Sequence, residues 1–196
     1  MDNDELEDQL NILDLVSENS LGSDGSGPEG IDLNFENEKL TYDNIETICE
    51  FIKNKGELIE NINLSGTNLN DKKLEMLSDK LKDCYNIKNI DFSNNKLENI
   101  KPLENVINKH SIENVDLSKN YIKDVKPIAK GLNKTSIKSL DLDNNLIEDI
   151  KPIATAMEKN QTIETLSLEK NYLNNKQAIT LSNGISKETS KNNFNI

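Results

Sequence analysis

The chain has 196 residues, of which 34% are hydrophobic, 30% charged and only 4% aromatic, with no Trp, so aliphatic side chains must build its core. A net charge of −12 and the lack of any basic stripe argue against a nucleic-acid surface. All 23 basic residues are Lys, which removes the bidentate Arg fork of phosphate sites, and no apolar run reaches the ~18 residues that a membrane helix needs.

Residues 1–30 hold nine acids and no Lys, while the other 26 acids face 23 Lys, so the acidity belongs mainly to this leader. Its start, "MDNDELEDQL", is neither a secretory signal nor a transit peptide. Leu6, Leu10, Leu13 and Leu15 stand at the Φ-x₃-Φ-x₂-Φ-x-Φ spacing with acids around them. That spacing resembles a nuclear export signal. It equally fits an amphipathic helix docking in a partner's groove, a helix folded back as a cap, or plain disorder. "SLGSDGSGPEG" (20–30) reads as a flexible linker, so residues 1–30 are expected to form a disordered acidic leader.

From residue 31 one pattern returns. The clearest copies are "IKNIDFSNNKL" (87–97), "IENVDLSKNYI" (112–122), "IKSLDLDNNLI" (137–147) and "IETLSLEKNYL" (163–173). "IENINLSGTNL" (59–69) carries Thr67 at the recurrent Asn, and "IDLNFENEKL" (31–40) carries Glu38 there. Alternating aliphatics such as Val115 and Leu117 describe a short strand with one buried face. Between the strands, Ile45, Ile48, Cys49 and Ile52 share a helical stripe, as do Leu74, Leu77 and Leu81. Lys-Pro at 101–102, 126–127 and 151–152 marks helix starts, because Pro in a first turn loses no hydrogen bond. Ile196 lies 28 residues beyond Leu168, so a seventh strand is expected as the chain stops. It is either an edge strand closing the array or the start of a longer one.

A fixed period of 25–28 residues is the mark of a solenoid. The copies resemble the leucine-rich repeat family, with its L-x-x-L-x-L-x-x-N-x-L core, over residues 31–196. The long helical repeats resemble the ribonuclease-inhibitor-like subclass. That resemblance implies an α/β horseshoe of six repeats plus the start of a seventh strand, with a parallel sheet on the concave face and helices on the convex one. The recurrent Asn is expected to bond backbone groups of its own and neighbouring coils, which stacking would otherwise bury unpaired. Thr67 supplies part of that, and charged Glu38 fits only an exposed end.

The repeats also decide how "DLDNNLIEDIKP" (141–152) is read. Asp141, Asp143, Asn145 and Asp149 have calcium-loop spacing, but Leu146 replaces the obligatory Gly and Pro152 the bidentate Glu. The equivalent stretches 91–102 and 116–127 keep the first Asp, the turn Asn and Lys-Pro but not the acid at position three. No metal site is expected.

Asp91, Asp116 and Asp141 take the solvent-facing place between two strand aliphatics, so they should form a column across strands ~4.8 Å apart. Opposed like charges destabilise a sheet. Asn34, Asn63 and Ser167 extend the column, Ser65, Ser93, Ser118, Asp143 and Glu169 form a neighbouring row, and Ser139 shares the face. Asp is also a frequent filler of this position in the family resembled. The other reading is an acidic strip for a Lys/Arg-bearing protein, with Asn63, Asp91, Asp116, Ser139, Asp141, Asp143, Ser167 and Glu169 as candidate contacts.

Catalytic material is sparse: one His (His110) in a turn, Cys49 on an apolar stripe, Cys84 at a helix end, and no phosphate-cradling loop or nucleophile motif. Two Cys make no disulfide framework and fit a reducing, cytoplasmic location, with nuclear shuttling on the export reading. The expected function is a monomeric, non-enzymatic protein-interaction module without cofactors. The alternatives are a GTPase regulator resembling the Ran GTPase-activating protein and an actin-binding module resembling tropomodulin's repeat domain.

Overall fold

A computed structural model of the chain describes residues 30–108, 111–184 and 193–195; the leucines Leu6, Leu10, Leu13 and Leu15, and His110, lie outside them. Seven strands follow in chain order: β1 (Ile31–Asn34), β2 (Ile59–Asn63), β3 (Asn89–Asp91), β4 (Asn114–Asp116), β5 (Ser139–Asp141), β6 (Thr165–Ser167) and β7 (Asn193–Asn195). They form one parallel sheet in which each strand pairs only with its sequence neighbours. Parallel neighbours need a crossover, and helices supply them: α1 (Tyr42–Lys55), α2 (Asp71–Leu81), α3 (Glu104–Ile107), α4 (Lys126–Leu132), α5 (Lys151–Met157) and α6 (Asn175–Gly184).

Strand alternation divides the faces. Ile62, Ile90, Val115, Leu140 and Leu166 point into the core, and Leu64, Phe92, Leu117, Leu142 and Leu168 repeat the pattern two residues on, all at most 3% exposed. Against them pack Ile45, Ile48, Leu74, Leu77, Leu81, Ile128 and Ile153 from the helices, giving one continuous core. Each such side chain contributes about 1.5–3 kcal/mol of burial. The apolar stripes expected in α1 and α2 are the buried faces of those helices.

Lys-Pro opens α4 and α5, with Pro in the first turn. At Lys101–Leu103 it opens a 3-10 turn instead, followed by the four-residue α3. Asn105, Val106 and Ile107 are weaker helix formers than the Ala-containing segments of α4 and α5, so the turn stays short. One side-chain cap recurs before these starts: Asn99, Asp124, Asp149 and Asn174 each accept, through Oδ1, the N–H two residues on, at 3.0 Å. Thr41 and Asn70 cap α1 and α2 from the N-cap position itself.

The recurrent Asn forms the internal ladder. Asn95 donates Nδ2 to Leu64 O of the preceding coil at 2.7 Å and to Phe92 O and Ser93 O of its own, and its Oδ1 accepts from Leu69 N–H at 2.8 Å. Asn120, Asn145 and Asn171 repeat all four bonds. Thr67 reaches only its own coil, at Leu64 O, so Leu40 N–H turns to the Thr67 carbonyl at a long 3.4 Å. Glu38 is exposed, as its charge requires.

The residue before each turn position is left-handed: Asn37, Gly66, Asn94, Lys119, Asn144 and Lys170 have φ between 53° and 70°. Gly and Asn tolerate this conformation; Lys does so at a cost.

Candidate functional site

The sheet face opposite the helices carries three polar columns. The central one runs Asn34, Asn63, Asp91, Asp116, Asp141, Ser167 and Asn195, each paired in register with the next. The Asp column expected from the sequence is therefore present. Its three carboxylates are half-buried, while Ser167 is only 8% exposed and presents little surface.

Each of these side chains also closes a turn. Asn63, Asp91, Asp116 and Asp141 accept through Oδ1 the N–H two residues on, at 2.8–3.0 Å, and Asn34 does the same at 3.1 Å. The turn needs an oxygen at that place and needs no charge, since Asn34 and Asn63 serve it equally.

The second column is an amide ladder. Asn61 donates to Asp32, Asn89 to Asn61, and Asn114 to Asn89, the last at 2.6 Å. Ser139 is the next residue in register. Ladder and Asp column together line a shallow hollow of about 490 Å³ that includes Asn63, Asp91, Asn114, Asp116, Ser139 and Asp141. In the third column Ser65 and Ser93 share a hydroxyl contact at 2.9 Å, Ser118 is buried, and Asp143 accepts from Glu169 N–H at 2.6 Å. Asp143 and Glu169 thus lie one step from the Asp column, towards the C-terminal coils.

Beside the ladder, the residues preceding the strand cores alternate in sign: Glu60, Lys88, Glu113, Lys138 and Glu164. Lys88 pairs with Glu60 and Lys138 with Glu113, both at 2.7 Å. The Asp column does the opposite, and among the described residues none of its three carboxylates is in an ion pair. Burial pushes the carboxyls of Asp116, Asp141 and Asp143 above the usual range, and neighbouring acids add to it; the backbone hydrogen bonds oppose it.

The calcium-like spacing of 141–152 now has a mechanical account. Asp141 and Asp149 each close a local turn, Asp143 caps the next coil, and Asn145 is an internal rung. Cys49 is buried, with its thiol pushed up to about 11 by desolvation, and its Sγ lies 3.5 Å from Met76 O; Cys84 is buried too. Both are packing residues. No helix among the described residues is long and apolar enough to cross a membrane.

Three features escaped the sequence reading. The amide ladder left no trace beyond "Asn two before the Asp". The left-handed residue was signalled by the repeated Asn-Asn and Lys-Asn dipeptides. Lys73 had no signal: its Nζ is buried and donates to Leu40 O at 2.5 Å and Asn68 O at 3.2 Å, beneath the Tyr42 ring 5.3 Å away.

No protein-family model matches the chain, and no curated protein does. Solved structures do. Internalin C2 of Listeria monocytogenes is 23% identical with a TM-score of 0.47, the match covering 67% of this chain and 62% of that one. The chain therefore spans less than two thirds of that internalin. The tropomodulin C-terminal domain of Caenorhabditis elegans is 10% identical, TM-score 0.52, with 72% and 90% covered. The actin-binding site 2 of leiomodin-1 is 16% identical, TM-score 0.55, with 75% and 92% covered. At these identities the likeness is one of fold. With the parallel seven-stranded sheet, the flanking helices and the Asn ladder, it makes this chain a leucine-rich repeat solenoid.

Proposed function

We propose that the sheet face is a non-enzymatic docking surface for a protein bearing a Lys/Arg patch. The observation that carries this reading is the surplus charge of Asp91, Asp116 and Asp141. Their turns are served as well by Asn, and beyond the amide ladder the chain alternates its signs, yet here three carboxylates that form no ion pair among the described residues stand in register. A cationic partner would relieve that repulsion on binding, and the preformed sheet needs little ordering to receive it.

The turn geometry also supplies a clean test. Asp91→Asn/Asp116→Asn/Asp141→Asn keeps the accepting oxygen and removes the charge. Capture of partners from the native cell with this variant, beside the wild type, should lose salt-sensitive partners while the melting temperature does not fall. Identical partners would remove the column from the reading.

A second reading is actin. The chain matches 92% of the leiomodin-1 actin-binding site 2 at a TM-score of 0.55. Co-sedimentation with filaments, and binding to monomeric actin, test it directly. The GTPase-regulator alternative has no counterpart among these structures; acceleration of GTP hydrolysis by the purified chain would revive it and overturn the non-enzymatic reading.

A further inference from the structure

On the opposite face, a groove of about 640 Å³ runs between α4 and α5. Its floor is built of small and apolar side chains, Ala129, Pro152 and Ala156, which let the two helices leave a furrow between them. Its rim is basic: Lys126, Lys130, Lys134, Lys151 and Lys159 stand against Asp149 and Glu158. Lys130 is paired with Glu104 at 3.0 Å; among the described residues the other four form no ion pair. An apolar furrow with a cationic rim fits an amphipathic segment that carries aliphatics on one side and acids around them.

The chain contains such a segment. Residues 5–18, "ELEDQLNILDLVSE", place Leu6, Leu10 and Leu13 at helical spacing, with Glu5, Glu7, Asp8, Asp14 and Glu18 about them and no Lys. We infer that this acidic leucine segment docks in the α4–α5 groove of its own chain. The hollow over the sheet is lined by the Asp column and repels it, and the grooves beside α2 and α3 are lined by nearly as many acids as Lys. The tether suffices: the 15 residues from Leu15 to Gly30 span up to about 50 Å when extended, and helices packed 8–10 Å apart place the groove roughly 35 Å from α1. Docked there, the leader covers the helical face and leaves the sheet face open, so this inference stands apart from the proposal for the sheet.

The test uses the full-length chain with a nitroxide on Ser17→Cys; the native thiols Cys49 and Cys84 are buried and label slowly. Amide signals of Ala129, Lys134, Thr155 and Lys159 should be broadened, and those of the sheet face left sharp. Leu6→Ala/Leu10→Ala/Leu13→Ala should restore the groove signals, as should raising ionic strength from about 0.1 M to about 1 M, which shortens the Debye length from ~10 Å to ~3 Å. These leader substitutions precede the repeats in the sequence, so an unchanged melting temperature shows that the fold is not what was lost. Sharp groove signals in the labelled wild type overturn the inference. So does broadening that survives the leucine substitutions, or that appears in an unlabelled-leader, isotope-labelled chain mixed with a spin-labelled one, since the latter places the contact between molecules.

Discussion

The side-chain amide of Asn145 donates to the carbonyl of Leu117, one coil back, at 2.9 Å, while its Oδ1 accepts from Ile122 N–H of that same coil at 3.0 Å. One buried side chain therefore satisfies backbone groups on two coils that no strand bond reaches. Asn145→Ala leaves these orphaned and should cost about 1–3 kcal/mol, as should Asn120→Ala, read by urea unfolding. Asn171 makes the same bonds but is only half-buried, so Asn171→Ala should cost less than either. Equal losses at all three positions would show that burial does not set the cost.

The Asp column predicts a pH dependence. The folded carboxyls of Asp116 and Asp141 lie above their ordinary range, chiefly through desolvation. Between the ordinary and the raised value the folded state binds more protons than the unfolded chain, so stability falls as pH rises through that window. Asp116→Asn and Asp141→Asn keep the turn bond to Ser118 and Asp143 N–H and remove the penalty. Both should melt higher than wild type at neutral pH, and the gain should shrink as pH falls below the carboxylate range. A gain independent of pH would assign it to something other than charge.

The repeat period, the buried strand positions, the Asn rungs and the Asp column are legible in the sequence because the same residue recurs at the same phase, and stacking converts phase into contact. Contacts that use a residue only once are not legible. Lys73 is one example: its buried ammonium serves two carbonyls of the first two coils, whereas Lys101, Lys126 and Lys151, likewise six residues past their turn positions, are exposed. The groove between α4 and α5 is another, since it arises from Ala129, Pro152 and Ala156 meeting across two repeats rather than from any motif within one. Helix length at α3 is not legible either, because Lys-Pro marks a start but propensity decides how far the helix runs.

Lys119 occupies a left-handed position with φ 54°, where the equivalent coils use Asn94 and Asn144 at the same angle. Its N–H donates to Asp143 O at 2.8 Å, so the backbone must hold this conformation whatever the side chain. Lys119→Asn should stabilise the chain by ~0.5 kcal/mol, because Asn tolerates the region better. A β-branched Lys119→Val should destabilise it by ~1–2 kcal/mol. The two variants measured together separate backbone strain from loss of the Lys charge, which both share.

Gly184 closes α6 at a point of backbone contact. A Cβ there would run into the carbonyl of Ala154 in α5, with the Ala154 Cα at 3.0 Å, and backbone atoms of a packed helix do not swing aside as a flexible side chain does. Helix propensity alone favours Gly184→Ala by ~1 kcal/mol. Overpacking against a neighbouring helix costs ~1–3 kcal/mol, and with backbone as the obstacle the upper part of that range applies. The net effect should be a loss of stability, with α6 displaced from α5 and faster amide exchange along α6. Ser182→Ala, exposed on the same helix, has the propensity gain without the contact and should stabilise slightly. If both substitutions stabilise, the α5–α6 approach is looser than this packing requires.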